Sequence, residues 1–294
     1  MALHPQARAA VEEYAAEQPV TDPAFDIGAS RAAARAAAAA EVREEVDEVT
    51  EVDADGVRCR LYRPAGADGL VVHLHGGGFV FHDIDVHDAA ARRLANRSHM
   101  AVLSVDYRRP PEHRFPAARD DVDTVLGWLA RESAGRDLDV PTYVHGDSAG
   151  GNLALVAALR HPGRFAAVAL LYPFLDPSAG FESYGTVADA FDPEEAAWYW
   201  QQYADPADLT DPDVAPLLSD RLGSLPPTLV VTAEHDPLRD EGEELVRRLA
   251  EEGVPVVGTR YLGQVHGFWR HVDLFTAAEP LTRQVAAFLR QHRG

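Results

Sequence analysis

An α/β fold with a mostly parallel sheet is what this sequence predicts. Two features carry that expectation: short apolar runs recur from about residue 70 onward, and each is followed by a stretch with helical spacing. Uninterrupted apolar runs of roughly four to eight residues suit strands buried on both faces, with the intervening helices covering those faces. The clearest runs fall at 70–74, 101–105, 142–145, 168–172, 228–232 and 256–261. The chain has 294 residues, 46% of them hydrophobic and 25% charged, which suffices for one α/β domain with a small appendage.

Before the first apolar run, residues 1–48 are rich in helix formers, broken at Pro19 and Pro23, and show no strand pattern. They predict a helical N-terminal cap segment ahead of a main domain spanning 49–294. Asp53-Ala54-Asp55-Gly56 is a turn signal between two alternating segments and predicts a hairpin. Cys59 sits in the alternating stretch Val57-Arg58-Cys59-Arg60-Leu61 and reads as a small, inert strand residue. Between about 176 and 218 the rhythm lapses into an acidic, Pro-punctuated stretch that holds Trp198, Tyr199, Trp200 and Tyr203. This predicts an insertion lying over the sheet.

Composition excludes several functions. The 47 acidic and 27 basic residues give a formal charge of -20, which repels nucleic-acid phosphates and anionic membranes. A single cysteine builds neither an internal disulfide nor a cysteine-based metal cluster. The N-terminus lacks a basic patch followed by an apolar run, and no segment is apolar for the length of a bilayer crossing, so a soluble cytoplasmic protein with no membrane partner is the expectation.

Gly146-Asp147-Ser148-Ala149-Gly150 fits the G-x-S-x-G pattern, in which a serine on a strained strand-to-helix turn projects its hydroxyl above the sheet. Such a short pattern arises by chance, but here both flanks agree. Residues 142–145 supply the strand, and 151–159 supply an apolar helix whose positive N-terminal end faces the serine. His75-Gly76-Gly77-Gly78-Phe79 follows the run at 70–74, where missing side chains expose backbone amides. Amides aimed at the oxyanion of a tetrahedral intermediate are each worth on the order of 3 kcal/mol of barrier, and the Ala149 amide would be a further donor. A phosphate cradle is the competing use of a glycine run; the G-x-x-x-x-G-K-[ST] pattern is missing, and the chain contains no Lys to complete it.

A serine hydroxyl needs an imidazole to take its proton, and the imidazole needs a carboxylate to fix its tautomer. The chain order Ser, acid, His places the acid just past a late strand, where Asp236 follows the run at 228–232. Asp240 is the nearest rival, but it precedes the helical run 243–252, where a carboxylate serves the helix dipole. Of the 13 His residues, His266 follows the last apolar run and lies between Gly263 and Gly267, which makes it the expected general base. His235, adjacent to the acid, and His271, expected further into a helix, are the alternatives and read as surface or packing residues.

These motifs, together with Asp236-Pro237-Leu238-Arg239-Asp240, Val265-His266-Gly267-Phe268 and the loop-like stretch from Asp106 to Ala118, resemble the bacterial hormone-sensitive-lipase-like (family IV) carboxylesterases of the α/β-hydrolase superfamily. The likeness runs from about residue 55 to the C-terminus. It implies an eight-stranded α/β-hydrolase sheet with helices on both faces, capped by the N-terminal helices and the 176–218 insertion. It also implies an oxyanion hole formed by Gly77, Gly78 and Ala149, with Gly76 mainly a turn residue and His75 bracing the loop. Arg109-Pro110 stands where relatives usually carry Leu-Ala, a departure that touches pocket shape rather than chemistry.

The implied reaction is hydrolysis of short- to medium-chain esters through an acyl-enzyme on Ser148, with His266 as base and Asp236 as its orienter. No metal or organic cofactor is needed. The partner expected is a small-molecule ester, and relatives commonly pair into a homodimer through the terminal strand and helix. Phe181, Tyr184, Phe191, Trp198, Trp200 and Tyr203 are candidate pocket-lining aromatics, with ordinary cap packing as the equal alternative. An amidase, a deacetylase or a lactone hydrolase would use the same residues. A ligand-binding receptor of the same fold would lack the catalytic His, which His266 argues against.

Overall fold

The computed structural model describes residues 2–187, 189 and 191–293. Eight strands form one sheet: β1 (Glu48–Ala54), β2 (Val57–Arg63), β3 (Leu70–Leu74), β4 (Ala101–Val105), β5 (Thr142–Asp147), β6 (Val168–Leu171), β7 (Thr228–His235) and β8 (Val256–Val265). Their spatial order is β1-β2-β4-β3-β5-β6-β7-β8. The first two pairings are antiparallel and the rest are parallel. The expected hairpin closes with Ala54 opposite Val57, leaving Asp55 and Gly56 at φ +54° and +91°. Both positive φ values match the twist of the flanking strands.

The helices are α1 (Pro5–Tyr14), α2 (Ile27–Ala39), α3 (Asp88–Ser98), α4 (Ala117–Glu132), α5 (Ala149–Arg160), α6 (Ser183–Thr186), α7 (Pro193–Tyr203), α8 (Arg239–Glu251) and α9 (Ala278–Gln291). Strand side chains alternate between two hydrophobic layers, as the two-residue period of a strand requires. Leu70, Val72 and Leu74 pack toward α4, α5 and α8, whereas Val71 packs toward α3 and α9. Strands β3 to β7 are buried along their whole length, which is why their sequences read as continuous apolar runs.

Three strands run longer than their apolar runs suggest, β5 by only two residues, to Asp147. β7 continues to His235 and β8 to Val265, with a register irregularity between Ala233 and His235. Gly263, at φ +68°, sits in this region and donates its amide to the Glu234 carboxylate at 2.7 Å. The polar side chains of Glu234 and Gln264 hide the extension from an apolar count. Its effect is to deliver His266 directly at a strand end rather than in a longer loop.

The N-terminal segment lies against the top of the sheet. His4 donates its amide to the Gly263 carbonyl at 2.9 Å, and Arg31 of α2 donates to the Val80 carbonyl at 2.9 Å. Among the described residues no helix is long and apolar enough to cross a membrane.

Candidate active site

Ser148 stands between β5 and α5 at φ +54° and ψ -122°, a conformation that costs a non-glycine residue about 1–3 kcal/mol. Its neighbours hold it there. Its amide donates to the Leu171 carbonyl at 2.9 Å and its carbonyl accepts from the Phe174 amide at 3.2 Å. Gly150 presses on the Leu74 and His75 carbonyls so closely that a Cβ would collide with both. Asn152, fully buried in α5, donates both amide hydrogens, to the Phe174 carbonyl at 2.8 Å and the Val214 carbonyl at 2.9 Å.

His266 Nε2 lies 2.9 Å from Ser148 Oγ, and His266 Nδ1 lies 2.8 Å from Asp236 Oδ2. The Asp236 side chain is sealed from solvent while that of His266 is 16% exposed, so the line opens outward from the acid. The second oxygen of Asp236 accepts the Leu238 amide at 2.9 Å, which fixes the carboxylate's orientation. Burial pushes the His266 pKa down, but the charge and hydrogen bond of Asp236 outweigh it, and the net displacement is above the ordinary imidazole value.

The glycine loop faces the same point. Gly78 has φ +58°, and the ring of Tyr199 fills the space a Cβ would take, so only glycine fits. Among the described residues nothing accepts the amide hydrogens of Gly77 or Gly78. Ala149 opens α5, where the first-turn amides have no intrahelical partner. His75 stacks on Tyr107 at 4.2 Å between centroids, its Nδ1 meets the Gly76 carbonyl at 2.9 Å, and the Tyr107 hydroxyl donates to the His75 carbonyl at 2.6 Å.

Comparison with known proteins shows the family. A family model described as alpha/beta hydrolase fold matches residues 71–270. A carboxylic ester hydrolase of Mycobacterium tuberculosis, LipN, is 36% identical, with 91% of this chain and 77% of that one covered. The chain belongs to the hormone-sensitive-lipase-like carboxylesterases of the α/β-hydrolase superfamily. An ethyl acetate hydrolase of Pseudomonas putida is 34% identical over 83% of this chain and 81% of its own. The solved structure of a hyperthermophilic esterase from the archaeon Pyrobaculum calidifontis superposes with a TM-score of 0.89 at 35% identity, covering 99% of each chain.

In this carboxylesterase the sequence-derived residues Ser148, Asp236 and His266 come together in one hydrogen-bonded line. The rivals do not join it. Asp240 sits in the first turn of α8, where it accepts the Ser183 amide at 2.8 Å. His235 pairs with Asp189 at 2.7 Å. His271 follows a single tight turn at Phe268–Arg270 rather than lying within a helix, and contacts Arg270.

The cap aromatics divide. Phe191 places its ring 5.1 Å from that of His266. Trp200 and Tyr203 instead pack on Phe79, Tyr203 stacked at 3.7 Å, and Tyr184 hydrogen-bonds Glu241 at 3.3 Å. Trp198 stacks on Phe81, and Phe181 packs against the core from a partly buried position.

Three residues of the carboxylesterase site escaped sequence reasoning. Asp147 is buried and accepts the Gly76 amide at 3.0 Å, pinning the glycine loop to the Ser148 turn, and burial raises its pKa to about 6. Its place beside Ser148 in the motif was the available signal. Tyr199 lies over Gly78, and its hydroxyl meets Glu195 Oε1 at 3.1 Å. Burial raises the Glu195 carboxyl to about 7. Nothing local in the sequence marks the pair, because it reaches the site through the cap.

Proposed function

We propose that this chain hydrolyses short- to medium-chain carboxylic esters by acyl transfer to Ser148, with His266 as general base and Asp236 orienting it. The line Asp236–His266–Ser148, with both contacts under 3 Å, carries the reading. His266 Nε2 takes the Ser148 proton as Oγ attacks the ester carbonyl. The oxyanion that develops is received by the free amides of Gly77, Gly78 and Ala149, which need no reorganisation when charge appears. His266 then protonates the departing alcohol, leaving an acyl group on Ser148. Water attacks that ester with His266 again as base and frees the acid. Asp236 accepts the Nδ1 hydrogen of His266 and stabilises the imidazolium in both halves.

The roof of Phe191 and Tyr199 favours a modest apolar acyl or alcohol group over a lipid aggregate. A homodimer through β8 fits the same proposal: β8 ends the sheet, and Val257 and Leu262 on it are exposed.

The test is Ser148→Ala assayed on a graded series of p-nitrophenyl esters. Loss of about 10⁶-fold in kcat is expected, with the fold retained by circular dichroism. Retention of most of the activity would falsify the assignment, and the chain-length profile of the wild type reads the pocket directly.

A further inference from the structure

Behind the Ser148 turn lies a second group of side chains, of which the hydrolytic site uses only Asp147, as a pin for the glycine loop. His73 on β3, His87 just before α3 and Asp147 at the end of β5 are all buried. One ligand atom from each lies within 4.8 Å of the others, and His87 Nδ1 is 3.8 Å from Asp147 Oδ1. Three ligand atoms bound to one ion at about 2.0–2.2 Å lie about 3.3–3.8 Å from one another, so these donors close on an ion with side-chain shifts of up to about 1 Å.

The hydrogen bonding of the group points the same way. Neither ring nitrogen of His87 has a partner among the described residues, and neither does His73 Nε2. A buried imidazole with both nitrogens unmatched is costly. His73 Nδ1 lies 3.0 Å from His145 Nδ1, so one of the two rings donates to the other. When His73 is the donor, its Nε2 carries a bare lone pair, with the ring held by an outer hydrogen bond as metal-bound histidines are. Asp147 accepts the Gly76 amide and, among the described residues, has no arginine within salt-bridge distance, Arg270 acting on it only at longer range. Its carboxyl is otherwise shut off from solvent.

His75 and His82 flank His87, each with ring centroids 5.5 Å away and each with an unpartnered ring nitrogen. Because His75 Nδ1 faces a carbonyl oxygen, it must donate, and that leaves His75 Nε2 as a lone pair.

We propose that His73, His87 and Asp147 bind one divalent transition-metal ion, of which zinc is the type, as a buried brace that ties β3 and the segment before α3 to the nucleophile turn. Two imidazoles and one carboxylate suit zinc, cobalt(II) and their neighbours and do not suit calcium or magnesium. The ion takes no part in ester hydrolysis, and the enzyme's chemistry is routed entirely through Ser148 and His266. Being enclosed, it enters as the chain folds rather than by exchange into the finished protein.

The full chain is produced in cells grown with added zinc, purified without chelator, and analysed for metal by plasma mass spectrometry. About one zinc per chain is expected, falling below about a tenth in His87→Gln. Cells grown with cobalt should yield protein with visible d–d absorption, also lost in that variant. Unfolding in excess chelator should lower the wild-type Tm and leave that of His87→Gln unmoved. Should His87→Gln fail to fold, His73→Gln gives the same readings at a second ligand. Wild-type protein without stoichiometric metal under zinc supplementation overturns the proposal, the donors then being bridged by water. Full retention of zinc in the folded variant overturns it equally, because the ion would sit elsewhere.

Discussion

The floor and the roof of this site each hold a partly buried titratable group that keeps its proton more tightly than in the unfolded chain, and they do so for opposite reasons. On the floor, His266 is raised despite burial, because Asp236 lies 2.8 Å away. On the roof, Glu195 is raised to about 7 by burial itself, with the Tyr199 hydroxyl opposing that rise only in part. The floor is set by a charge pair held on strand ends, and the roof by desolvation under a cap of aromatics. Removing a partner should therefore be severe on the floor and mild on the roof.

Asp236→Asn is the strongest way to break the floor while keeping its shape. We expect kcat to fall by about 10⁴-fold with little change in KM, because an amide no longer fixes the His266 tautomer. A loss smaller than about tenfold would move the orienting role to another carboxylate.

The pH profile reads the same pair more gently. His266 must be neutral to accept the Ser148 proton, so kcat/KM should fall on the acid side with an apparent pKa above the ordinary imidazole value. In a variant with measurable residual activity, such as Asp236→Asn, that limb should move to lower pH. The linked stability has a definite sign: a raised folded pKa adds stability that is complete below the unfolded imidazole value of about 6.5 and is lost as pH rises through the folded one.

Glu195→Gln tests the roof and should have the smallest effect. Activity should change by less than tenfold (under about 1.4 kcal/mol), because no bond of the reaction passes through this side chain. The acid limb of His266 should shift slightly downward, since the ionised Glu195 helps hold that proton. For a carboxyl raised from 4.5 to about 7, stability declines as pH rises across that window. The variant should accordingly show a flatter Tm between pH 5 and 8. An unchanged Tm profile would mean that Glu195 is hydrated in solution.

The floor was almost wholly legible in the sequence, and the roof hardly at all. Ser148, the glycines and His266 are recoverable because each sits where a strand ends, so a short local pattern fixes its position in space. Asp147 stands inside one of those patterns, yet its bond to Gly76 crosses from β5 to the loop after β3, and spacing along the chain carries no trace of it. Tyr199 and Glu195 lie one turn apart on α7, and only the docking of that helix decides which aromatics line the site and which, like Tyr203 on Phe79, fill the core. Strand ends are hidden where polar residues extend a strand past its apolar run, as at Glu234 in β7 and Gln264 in β8.

The two hydrogen bonds of Asn152 have a consequence for how such an enzyme diversifies. They grip the chain at Phe174, just before the stretch 176–218, and at Val214, near its end, from a helix that starts beside Ser148. The insertion is thus a handle bolted at both ends to a buried helix of the core. Its middle, with Phe191 and Tyr199, can be recut in length or composition while the bolts stay put, so substrate range becomes an interchangeable part and the hydrolytic step a fixed one.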